Sequence, residues 1–476
     1  MSGNLWRKKF LSVIVLLAMA VVWVFTFSSN QRMAAAAIPS FVRIGIVTGD
    51  STIIDLEASQ GGYRLLDKAT GKAIISSINC GDTCRVKMES GKLKVFGASA
   101  GGSMKEKGSF KGPVVMERKS SDSLVELDGK RYRGSMEVRA NSGGTGLVAI
   151  NQLMLEEYLY GVLPREVSEG WPLEALKAQA VAARTYTLRT LNKHSDEGYD
   201  LCSGTNCQVY GGYDCEGANC TRAVNETKGM VLQDNLGEMA VTLFHSNSGG
   251  YLEDNVNVFG ADLYYLKAKP DPYSKGYGLY DWGLTTVLEG RDSSGRMGLR
   301  ELLNADGASI GHIEAIKLIK NPAGRVEKVI ITDDKGNTTE KTGSQFGCLY
   351  NPGFQKVGAD QFMGRFFDLE TDATYSLMGV NGLVATVSGR ERSLSVLGGG
   401  GTTRTISSGQ GALSVQGAAG TGSIKVLPKT ITIKGHGWGH GVGMSQWGAY
   451  GMAKQGFGFN QILAFYYSGT RLVTLK

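Results

Sequence analysis

Two carboxylates in one short segment are the first residues of this chain whose spacing could do chemistry. Glu166 and Glu169 lie between Pro164 and Pro172, where the helical pattern of the flanking residues is interrupted. A carboxyl group held by a rigid neighbouring element can act as a general acid or base. A solvated acidic turn before an ordinary core helix explains the same pattern. The residues alone leave both interpretations open.

A glycine-rich segment near the carboxyl terminus is the second region whose residue types could bind a ligand. Gly435–Gly448 combines closely spaced glycines with two histidines and two tryptophans. Glycines at this density let the backbone approach a ligand or another strand closely. Aromatic rings beside polar groups are typical of sugar-binding grooves. A glycine-kinked turn that fills the domain's own core is the alternative, and the two interpretations do not exclude each other.

Six of the seven cysteines form three pairs that are close in sequence, and one cysteine is left over. Outside the membrane such pairs favour disulfides. The second and third pairs could instead supply four thiolates to a structural zinc, although their spacing is wider than that of the usual zinc knuckle. The residues concerned are Cys80/Cys84, Cys202/Cys207, Cys215/Cys220 and Cys348.

Two predicted helices would position the carboxylates. The apolar residues of Leu155–Val162 share one helical face, and Pro164 then interrupts the pattern. We therefore predict that Arg165–Trp171 is an irregular connection that carries both acids. Pro172 suits the first turn of a second helix. The many alanines between it and Leu191 predict that this helix is buried.

Most of the remaining chain has the alternating pattern of strands, and we predict a β-rich α+β fold. Asp128-Gly129 is a strong hairpin signal. The patterns divide the chain into an amino-terminal segment over 1–39, a small β module with a linker over 40–108, and a larger domain over 109–476. A Gly/Ser-rich stretch at about 376–422 is predicted to be an inserted excursion that is β-rich or partly flexible.

The amino terminus carries the signature of a membrane segment. Arg7, Lys8 and Lys9 precede the uncharged apolar run Phe10–Phe27, which is just long enough to span a bilayer. The basic flank predicts that the first residues stay in the cytoplasm and that the bulk of the chain lies outside the membrane. Small residues at Met33–Ala37 would also allow signal-peptidase cleavage, so a secreted form is the alternative to the anchor.

The charge of the chain is a weak guide to its partners. The formal net charge is +7, and Met1–Arg32 contributes four of the positive charges with no acid, which leaves +3 for the remainder. A mildly basic exterior suits an anionic cell-wall surface. Because no basic stripe with interleaved aromatic residues is present, we expect no binding to nucleic acid.

Three motifs occur in the order found in a known family. They are EEYLYGVLPREV…WPLEALKAQAVAARTYTL, HSNSGG, and GHGWGHGVGMSQWGAYGMA followed by ILAFYYSGT. Over roughly Gly134–Lys476, apart from the excursion, the chain resembles the stage II sporulation protein D (SpoIID/LytB) family. The resemblance implies a peptidoglycan lytic transglycosylase with a role in sporulation and engulfment. Such an enzyme cuts the bond from N-acetylmuramic acid to N-acetylglucosamine without adding water and leaves 1,6-anhydro products.

The resemblance also implies the partners and the catalytic residue. The substrate would be glycan strands stripped of stem peptides, and a cell-wall amidase would be the partner that strips them. The family's catalytic glutamate matches Glu166, which would act as the single general acid and base. Arg165 departs from the small residue that the family more often has before that glutamate, and a neighbouring cation favours the ionised carboxylate.

Further site residues follow from the same motifs. We expect eight residues in or near the substrate groove, namely Trp171, Tyr158, His245, His436, Trp438, His440, Ser445 and Gln446. For the three histidines, a structural role inside the protein is the alternative. Some relatives also carry a zinc held by two cysteines and two histidines near the segment that matches Cys202–Cys207. Asn206 occupies one expected histidine position, and His194 is the only nearby histidine, so we do not expect a complete site of that type. A structural zinc and a disulfide both stay open for Cys202 and Cys207, and no cofactor is certain.

Two other function classes stay open at this stage. One is a non-catalytic wall-binding protein or amidase activator, since one branch of the family consists of amidase modifiers. The other is a metal-dependent hydrolase that uses the histidines, which sensitivity to chelators would reveal. Cleavage of glycan by the purified chain distinguishes the enzyme from the activator.

Overall fold

The computed structural model describes residues 41–49, 51–350, 364–371 and 430–475, together with six short strands between Thr374 and Ile424. The apolar run Phe10–Phe27 lies outside the described residues. Within the described part of the chain, no helix is both long enough and apolar enough to cross a membrane. The fold is mixed and β-rich, as the alternating patterns predicted.

The amino-terminal part consists of two sheets that pack face to face. One sheet has the order β13-β1-β12-β11-β8-β3-β4 and the other has the order β10-β9-β2-β5-β6-β7. Alternation creates the buried face, as in β2, where Ile54, Leu56 and Ala58 are buried between exposed neighbours. These strands are β1 (Phe41–Val47), β2 (Ile53–Gln60), β3 (Tyr63–Asp67), β4 (Ala73–Ile78), β5 (Thr83–Glu89), β6 (Lys92–Ala98), β7 (Lys105–Phe110), β8 (Val114–Arg118), β9 (Leu124–Leu127), β10 (Lys130–Arg133), β11 (Ser135–Ala140), β12 (Leu147–Met154) and β13 (Leu201–Cys202).

Both sheets contain strands from each side of residue 108. In the larger sheet β3 pairs with β8, and in the smaller sheet β2 pairs with β9. The division predicted at residue 108 therefore passes through both sheets. The reason is that β1 pairs with β12 over almost its whole length, from Phe41 opposite Met154 to Val47 opposite Ala149.

Helices follow the sandwich directly and carry the carboxylates. The first helix runs through Pro164 and ends at Glu166, so the prediction of an irregular connection from Arg165 was wrong. Proline removes one backbone donor, but the buried residues around it, Val162 and Leu163, keep the turn packed. Val167 then adopts an extended conformation and ends the helix. The helices are α1 (Leu155–Glu166), α2 (Leu173–Arg189), α3 (Ala218–Glu226), α4 (Val256–Phe259), α5 (Leu299–Ala305), α6 (Gly343–Tyr350), α7 (Gln446–Lys454) and α8 (Phe459–Tyr466).

Helix α2 is the buried alanine-rich helix that the sequence predicted. Ala178, Val181 and Ala182 pack into one core with residues of α7 and α8, including Ala449 and Leu463. Small side chains on α2 allow α7 and α8 to approach it closely. The carboxyl-terminal motif is thereby brought against the segment that carries Glu166.

A separate lobe with its own core follows the helical layer. It contains a sheet of order β16-β27-β20, a hairpin sheet β17-β18-β19, and helices α5 and α6. Antiparallel β20 and β27 pair from Phe367 opposite Gly435 to Thr371 opposite Ile431. The excursion between them therefore leaves and returns at adjacent positions, and its strands pair as the three hairpins β21-β22, β23-β24 and β25-β26. The strands that follow the sandwich, in the lobe and outside it, are β14 (Met230–Gln233), β15 (Phe244–His245), β16 (Asp281–Val287), β17 (Ile313–Lys320), β18 (Val326–Asp333), β19 (Thr338–Thr342), β20 (Phe367–Thr371), β21 (Thr374–Met378), β22 (Val384–Ser388), β23 (Ser393–Leu397), β24 (Thr403–Ser407), β25 (Leu413–Gly417), β26 (Gly420–Ile424), β27 (Thr430–His436), β28 (Met444–Ser445) and β29 (Arg471–Thr474).

Candidate active site

Glu166 lies where three segments of the chain meet. It is the last residue of α1, and its Oε1 accepts a hydrogen bond from the backbone N–H of Val209 at 3.4 Å. The side chain of Gln446, the first residue of α7, also hydrogen-bonds the carboxylate. Burial raises the pKa of Glu166 above its ordinary value of 4.5, although both hydrogen bonds act in the opposite direction. A carboxyl group that keeps its proton to higher pH is suited to act as a general acid.

The exposed neighbour Arg165 does not reverse this shift. Its positive charge lowers the pKa of Glu166, but that contribution is smaller than the effect of burial. The stem of the Arg165 side chain packs near Gly211, where an added Cβ would lie 3.0 Å from the Arg165 Cδ. The departure from the family pattern at residue 165 therefore leaves the acidic residue with a raised pKa.

An aromatic cluster lies beside this position. The ring of Trp171 is 4.8 Å from that of Trp447 and 5.2 Å from that of Tyr450, and Tyr277 packs edge-on against Tyr450 at 5.2 Å. All four side chains are partly exposed. Because Trp447 follows Gln446 directly, the cluster and the carboxylate are fixed by the same helix start. Such half-buried rings offer flat apolar surface against which a sugar ring can stack.

Glu169 has a structural role that separates it from Glu166. Its Oε1 accepts a hydrogen bond from the backbone N–H of Asn219 at 2.8 Å, at the amino terminus of α3. A Cβ at Gly217 would overlap the other carboxylate oxygen, so this position needs glycine. The alternative of a solvated acidic turn does not describe Glu169, because its carboxylate reaches the positive end of a helix dipole.

Tyr158 lies beneath the carboxylate rather than on an open surface. It is fully buried, and its ring packs 5.1 Å from that of Tyr210. Burial raises the pKa of Tyr158 well above its usual value, and the nearby charge of Glu166 acts in the same direction. The residue contributes to the apolar surroundings that raise the pKa of Glu166.

Three of the motif residues are held inside the protein by backbone contacts. Nδ1 of His245 bonds the carbonyl of Val442 at 3.0 Å, and Nε2 of His440 bonds the carbonyl of Phe244 at 3.1 Å. Burial lowers the pKa of His440 to about 4, so its ring is neutral at physiological pH. Ser445 is buried and accepts a hydrogen bond from the N–H of Gly448 at 3.1 Å, which caps α7. These groups position α7, and their predicted substrate contacts stay a prediction.

His436 and Trp438 belong to the lobe. Nδ1 of His436 lies 2.6 Å from Oδ1 of Asp281 across the β16–β27 pair, and Trp438 packs against the lobe core. Backbone bonds in both directions join Trp438 to Asn247. Of the eight predicted groove residues, Trp171 and Gln446 contact Glu166 or its aromatic cluster, and Tyr158 lies beneath the carboxylate.

Residues that sequence reasoning missed also contribute to the site. Val209 supplies a backbone donor, which carries no side-chain signal. Tyr277 comes from a loop that approaches only in the folded chain. Trp447 and Tyr450 could have been found, because their spacing of three places both rings on one face of α7.

A cluster of metal-binding residues lies upstream of Val209. The Sγ atoms of Cys202 and Cys207 and a ring nitrogen of His194 all lie within 4.8 Å of one another. Nε2 of His194 is 3.4 Å from Sγ of Cys207, and its Nδ1 is 3.3 Å from a carboxylate oxygen of Glu197. Two thiols and an imidazole are the donors that zinc prefers, and a carboxylate on the second ring nitrogen is typical of metal-bound histidine. The donor set fits a zinc ion with three protein ligands, which would fix the loop that presents Val209.

The disulfide interpretation of the cysteines is not realised. All seven cysteines lie in the described part of the chain and are free thiols. Cys84 faces the core of the sandwich while Cys80 is exposed on the adjoining turn. Sγ of Cys215 bonds the carbonyl of Gly161 at 3.3 Å. The Sγ atoms of Cys202 and Cys207 lie close together in the metal-binding cluster without a bond between them, whereas the exposed Cys80 and the buried Cys84 have different surroundings.

Comparisons with known proteins agree with this architecture. A family model described as stage II sporulation protein (SpoIID) matches residues 143–233, the segment that includes Glu166, Trp171 and the metal-binding cluster. The chain thus carries a SpoIID segment over residues 143–233 and is similar to proteins named for sporulation.

Several relatives extend the match beyond that segment. The chain is 29% identical over 402 residues to an amidase enhancer of Bacillus subtilis, a match that covers 83% of this chain and 50% of that relative. It is 25% identical over 340 residues to stage II sporulation protein D of the same organism, covering 68% of this chain and 76% of the relative. An uncharacterised protein of Brachyspira hyodysenteriae is 28% identical over 370 residues, with 77% and 78% covered. The chain thus spans about half the length of the amidase enhancer.

Proposed function

We propose that this protein is a peptidoglycan lytic transglycosylase in which Glu166 is the sole general acid and base. The observation that carries the proposal is a partly buried carboxyl group with a raised pKa beside a partly exposed aromatic cluster. The substrate is the glycan strand, stripped of stem peptides, and the cleaved bond joins N-acetylmuramic acid to N-acetylglucosamine. The match to a sporulation family model and the similarity to an amidase enhancer support a role in wall remodelling.

One carboxyl group is sufficient for this reaction. Glycosidases that use water need two carboxylates, one as acid and one as nucleophile or base. In lytic cleavage the protonated Glu166 gives its proton to the glycosidic oxygen as the bond from that oxygen to the anomeric carbon breaks. The 6-hydroxyl oxygen of the same muramic acid then bonds to the anomeric carbon, and its proton passes to Glu166. The proton is restored and a 1,6-anhydro sugar is formed without water.

The surrounding residues support this cycle. Val209 and Gln446 hold the carboxylate form that exists between the two proton transfers, while burial favours the protonated form that begins the cycle. Trp171 and Trp447 offer ring faces for the sugars that flank the cleaved bond. Glu169 does not serve as a second catalytic carboxylate, because it is engaged at the start of α3.

The test is cleavage of peptide-stripped glycan by the full chain and two matched variants. Glu166→Gln keeps the size and hydrogen-bonding capacity of the side chain but has no proton to deliver. The rate should fall by about 10²–10⁴-fold, the usual contribution of general acid–base catalysis. Glu169→Gln should retain most of the activity. Mass spectrometry of the wild-type products should find ends that lack one water relative to hydrolysis products.

Two results would contradict the proposal. If Glu169→Gln abolishes cleavage and Glu166→Gln does not, the acid is Glu169. If both variants and the wild type release only hydrated ends, the reaction is hydrolysis and a second carboxylate or a metal must be involved.

The second candidate function is activation of a cell-wall amidase. The observation that favours it is the similarity to a relative named amidase enhancer. A purified amidase should then release stem peptides faster when the full chain is present. If Glu166→Gln enhances the amidase as well as wild type does, activation is independent of glycan cleavage.

A further inference from the structure

The β-sandwich has an open side, and the residues that form it are distant in sequence from those of the candidate active site. β4 is an edge strand of the larger sheet, and β7 is an edge strand of the smaller one. A cavity of about 450 Å³ lies between them and is lined by residues of β4, β5, β6 and β7. Nothing in the proposed reaction uses this cavity.

The floor of the cavity is apolar and uncharged. Ile78 and Cys84 are buried there, and Gly97 leaves the space that a side chain would occupy. A Cβ at Gly97 would lie 2.9 Å from the Cδ1 of Ile75 and 3.1 Å from the Cε of Lys107. The side chains of Ile75 and Lys107 therefore lie directly over Gly97, and a side chain at residue 97 would displace them.

The rim carries two lysines, and Asp82 is the acid of the lining. Lys105 and Lys107 both line the cavity, because alternate residues of β7 point to the same side. Glu106, between them, pairs with Lys94 at 3.2 Å on the other side of the strand. Within the described residues, neither cavity lysine takes part in an ion pair.

The acid of the lining does not balance these lysines at close range. The two carboxylate oxygens of Asp82 accept hydrogen bonds from the backbone N–H groups of Asn79 at 2.8 Å and Ala100 at 3.1 Å. Thr83, Ser99 and Ser103 add side-chain hydroxyls to the rim. The opening thus combines two free ammonium groups with hydroxyl donors and acceptors.

We propose that this cavity binds an anionic polyol-phosphate chain. Lysine binds phosphate as a compact point charge, and the hydroxyls of the rim match those of a polyol. The lining contains no aromatic ring, so the flat stacking surface that sugar-binding sites usually provide is missing. A flexible chain with one charge per unit therefore fits this site better than a neutral glycan ring. Such binding would hold the chain at a polyanionic surface independently of its active site.

The test measures binding of a short glycerol-phosphate oligomer of defined length to the full chain by titration calorimetry at low salt. Lys105→Gln/Lys107→Gln should weaken binding about fivefold or more, the loss expected from two partly exposed ion pairs. Lys92→Gln/Lys130→Gln is the matched control, because both of these lysines are exposed on the same sandwich and outside the cavity lining. The control should bind within about twofold of wild type, and higher salt should weaken binding by wild type.

A second variant tests the cavity without changing charge. Gly97→Val should displace the side chains of Ile75 and Lys107 and weaken binding, although both lysine charges remain. If this variant fails to fold, as judged by its thermal transition, the two lysine pairs still decide the question.

Three outcomes would overturn the proposal. Equal losses in the two lysine pairs would mean diffuse attraction to a basic surface, and failure of wild type to bind the oligomer at millimolar concentration would mean that no site exists. The third uses peptide-stripped glycan in a Glu166→Gln background. If the cavity lysines affect that binding and not binding of the oligomer, the ligand is a glycan.

Discussion

At the scale of single residues, the proposed chemistry depends on the different surroundings of two nearby acids. Burial raises the pKa of Glu166, whereas the carboxylate of Glu169 accepts a hydrogen bond at the amino terminus of α3. The motif identified the first acid, and the spacing of the prolines identified its neighbourhood. Val209 could not be predicted in this way, because it contacts Glu166 through its backbone N–H. Gln446 was among the predicted groove residues, but its hydrogen bond to Glu166 depends on the packing of α7 on α2.

The raised pKa of Glu166 makes a prediction about stability. A carboxyl group whose pKa is higher in the folded chain than in the unfolded chain takes up protons on folding. Its contribution to stability is complete below its ordinary pKa of 4.5 and is lost as the pH rises through the folded-state value. The Glu166→Gln variant cannot lose stability in this way, because glutamine does not ionise. The difference between its Tm and that of wild type should therefore increase in favour of the variant as the pH is raised from 4 to 8.

Glu169→Gln is the internal control for that measurement. It removes a negative charge from a helix amino terminus and should lower stability at neutral pH by about 0.3–1 kcal/mol. If Glu166→Gln is destabilised in the same manner as Glu169→Gln, the carboxylate of Glu166 is stabilising and the proposed acid role loses its physical basis.

The cluster of His194, Cys202 and Cys207 makes a prediction about metal content. We expect the purified chain to contain zinc, and a chelator should lower its Tm because the metal binds only the folded cluster. His194→Ala should reduce the zinc content and abolish the effect of the chelator on Tm. His312→Ala is the matched control, since His312 is also paired with a carboxylate, that of Glu289. A metal-free wild type with a Tm equal to that of His194→Ala would contradict the expectation.

At the scale of elements, one buried arginine joins the three helices around the site. Arg184 of α2 is fully buried, and its Nη2 lies 2.6 Å from the carboxylate of Glu156 on α1. The same guanidinium donates to the carbonyl of Val224 on α3 and to that of Met230. Helical periodicity predicted α2 and its buried face, but Arg184 appeared in the motif without a role. A charged residue on an otherwise apolar face is the signal that could have revealed this contact.

Arg184→Leu should be strongly destabilising. Removing one partner of a buried ion pair leaves the other charge unpaired and costs about 3–5 kcal/mol. Because Glu156→Leu removes that unpaired charge, the double variant Arg184→Leu/Glu156→Leu should lose less stability than the sum of the two single variants. Urea denaturation measures the differences. Arg222→Leu, which breaks an exposed pair with Glu226, should cost about 0.2–1 kcal/mol, and strict additivity of the Arg184 and Glu156 effects would contradict the prediction.

At the scale of the whole molecule, the sequence predicted a β-rich chain more readily than its connectivity. The alternating residues identified strands such as β2, and Asp128-Gly129 identified the hairpin between β9 and β10. Strand order could not be predicted, because β1 pairs with β12 across about a hundred residues that contribute strands to both sheets. Strand alternation defines which face is buried, but it does not identify the partner strand.

The proposed reaction on a cell-wall substrate requires that most of the molecule lies outside the membrane. Phe10–Phe27 is an uncharged run of 18 residues, about 27 Å long as a helix and close to the hydrocarbon thickness of a bilayer. Arg7, Lys8 and Lys9 precede it, and basic residues stay on the cytoplasmic side. We therefore propose a single-pass protein whose residues after about Ile38 lie outside the membrane, where glycan strands and polyol-phosphate chains are accessible.

Protease added to intact protoplasts should digest this outer portion and leave a cytoplasmic marker protein whole. A variant that lacks Phe10–Phe27 provides the control, since it should remain inside and be protected. If cleavage after Met33–Ala37 releases the chain, the full outer portion should appear in the medium with an amino terminus near Ile38. Protection of Cys202–Lys476 in intact protoplasts would contradict both forms, because a chain confined to the cytoplasm would be separated from the wall on which its proposed chemistry acts.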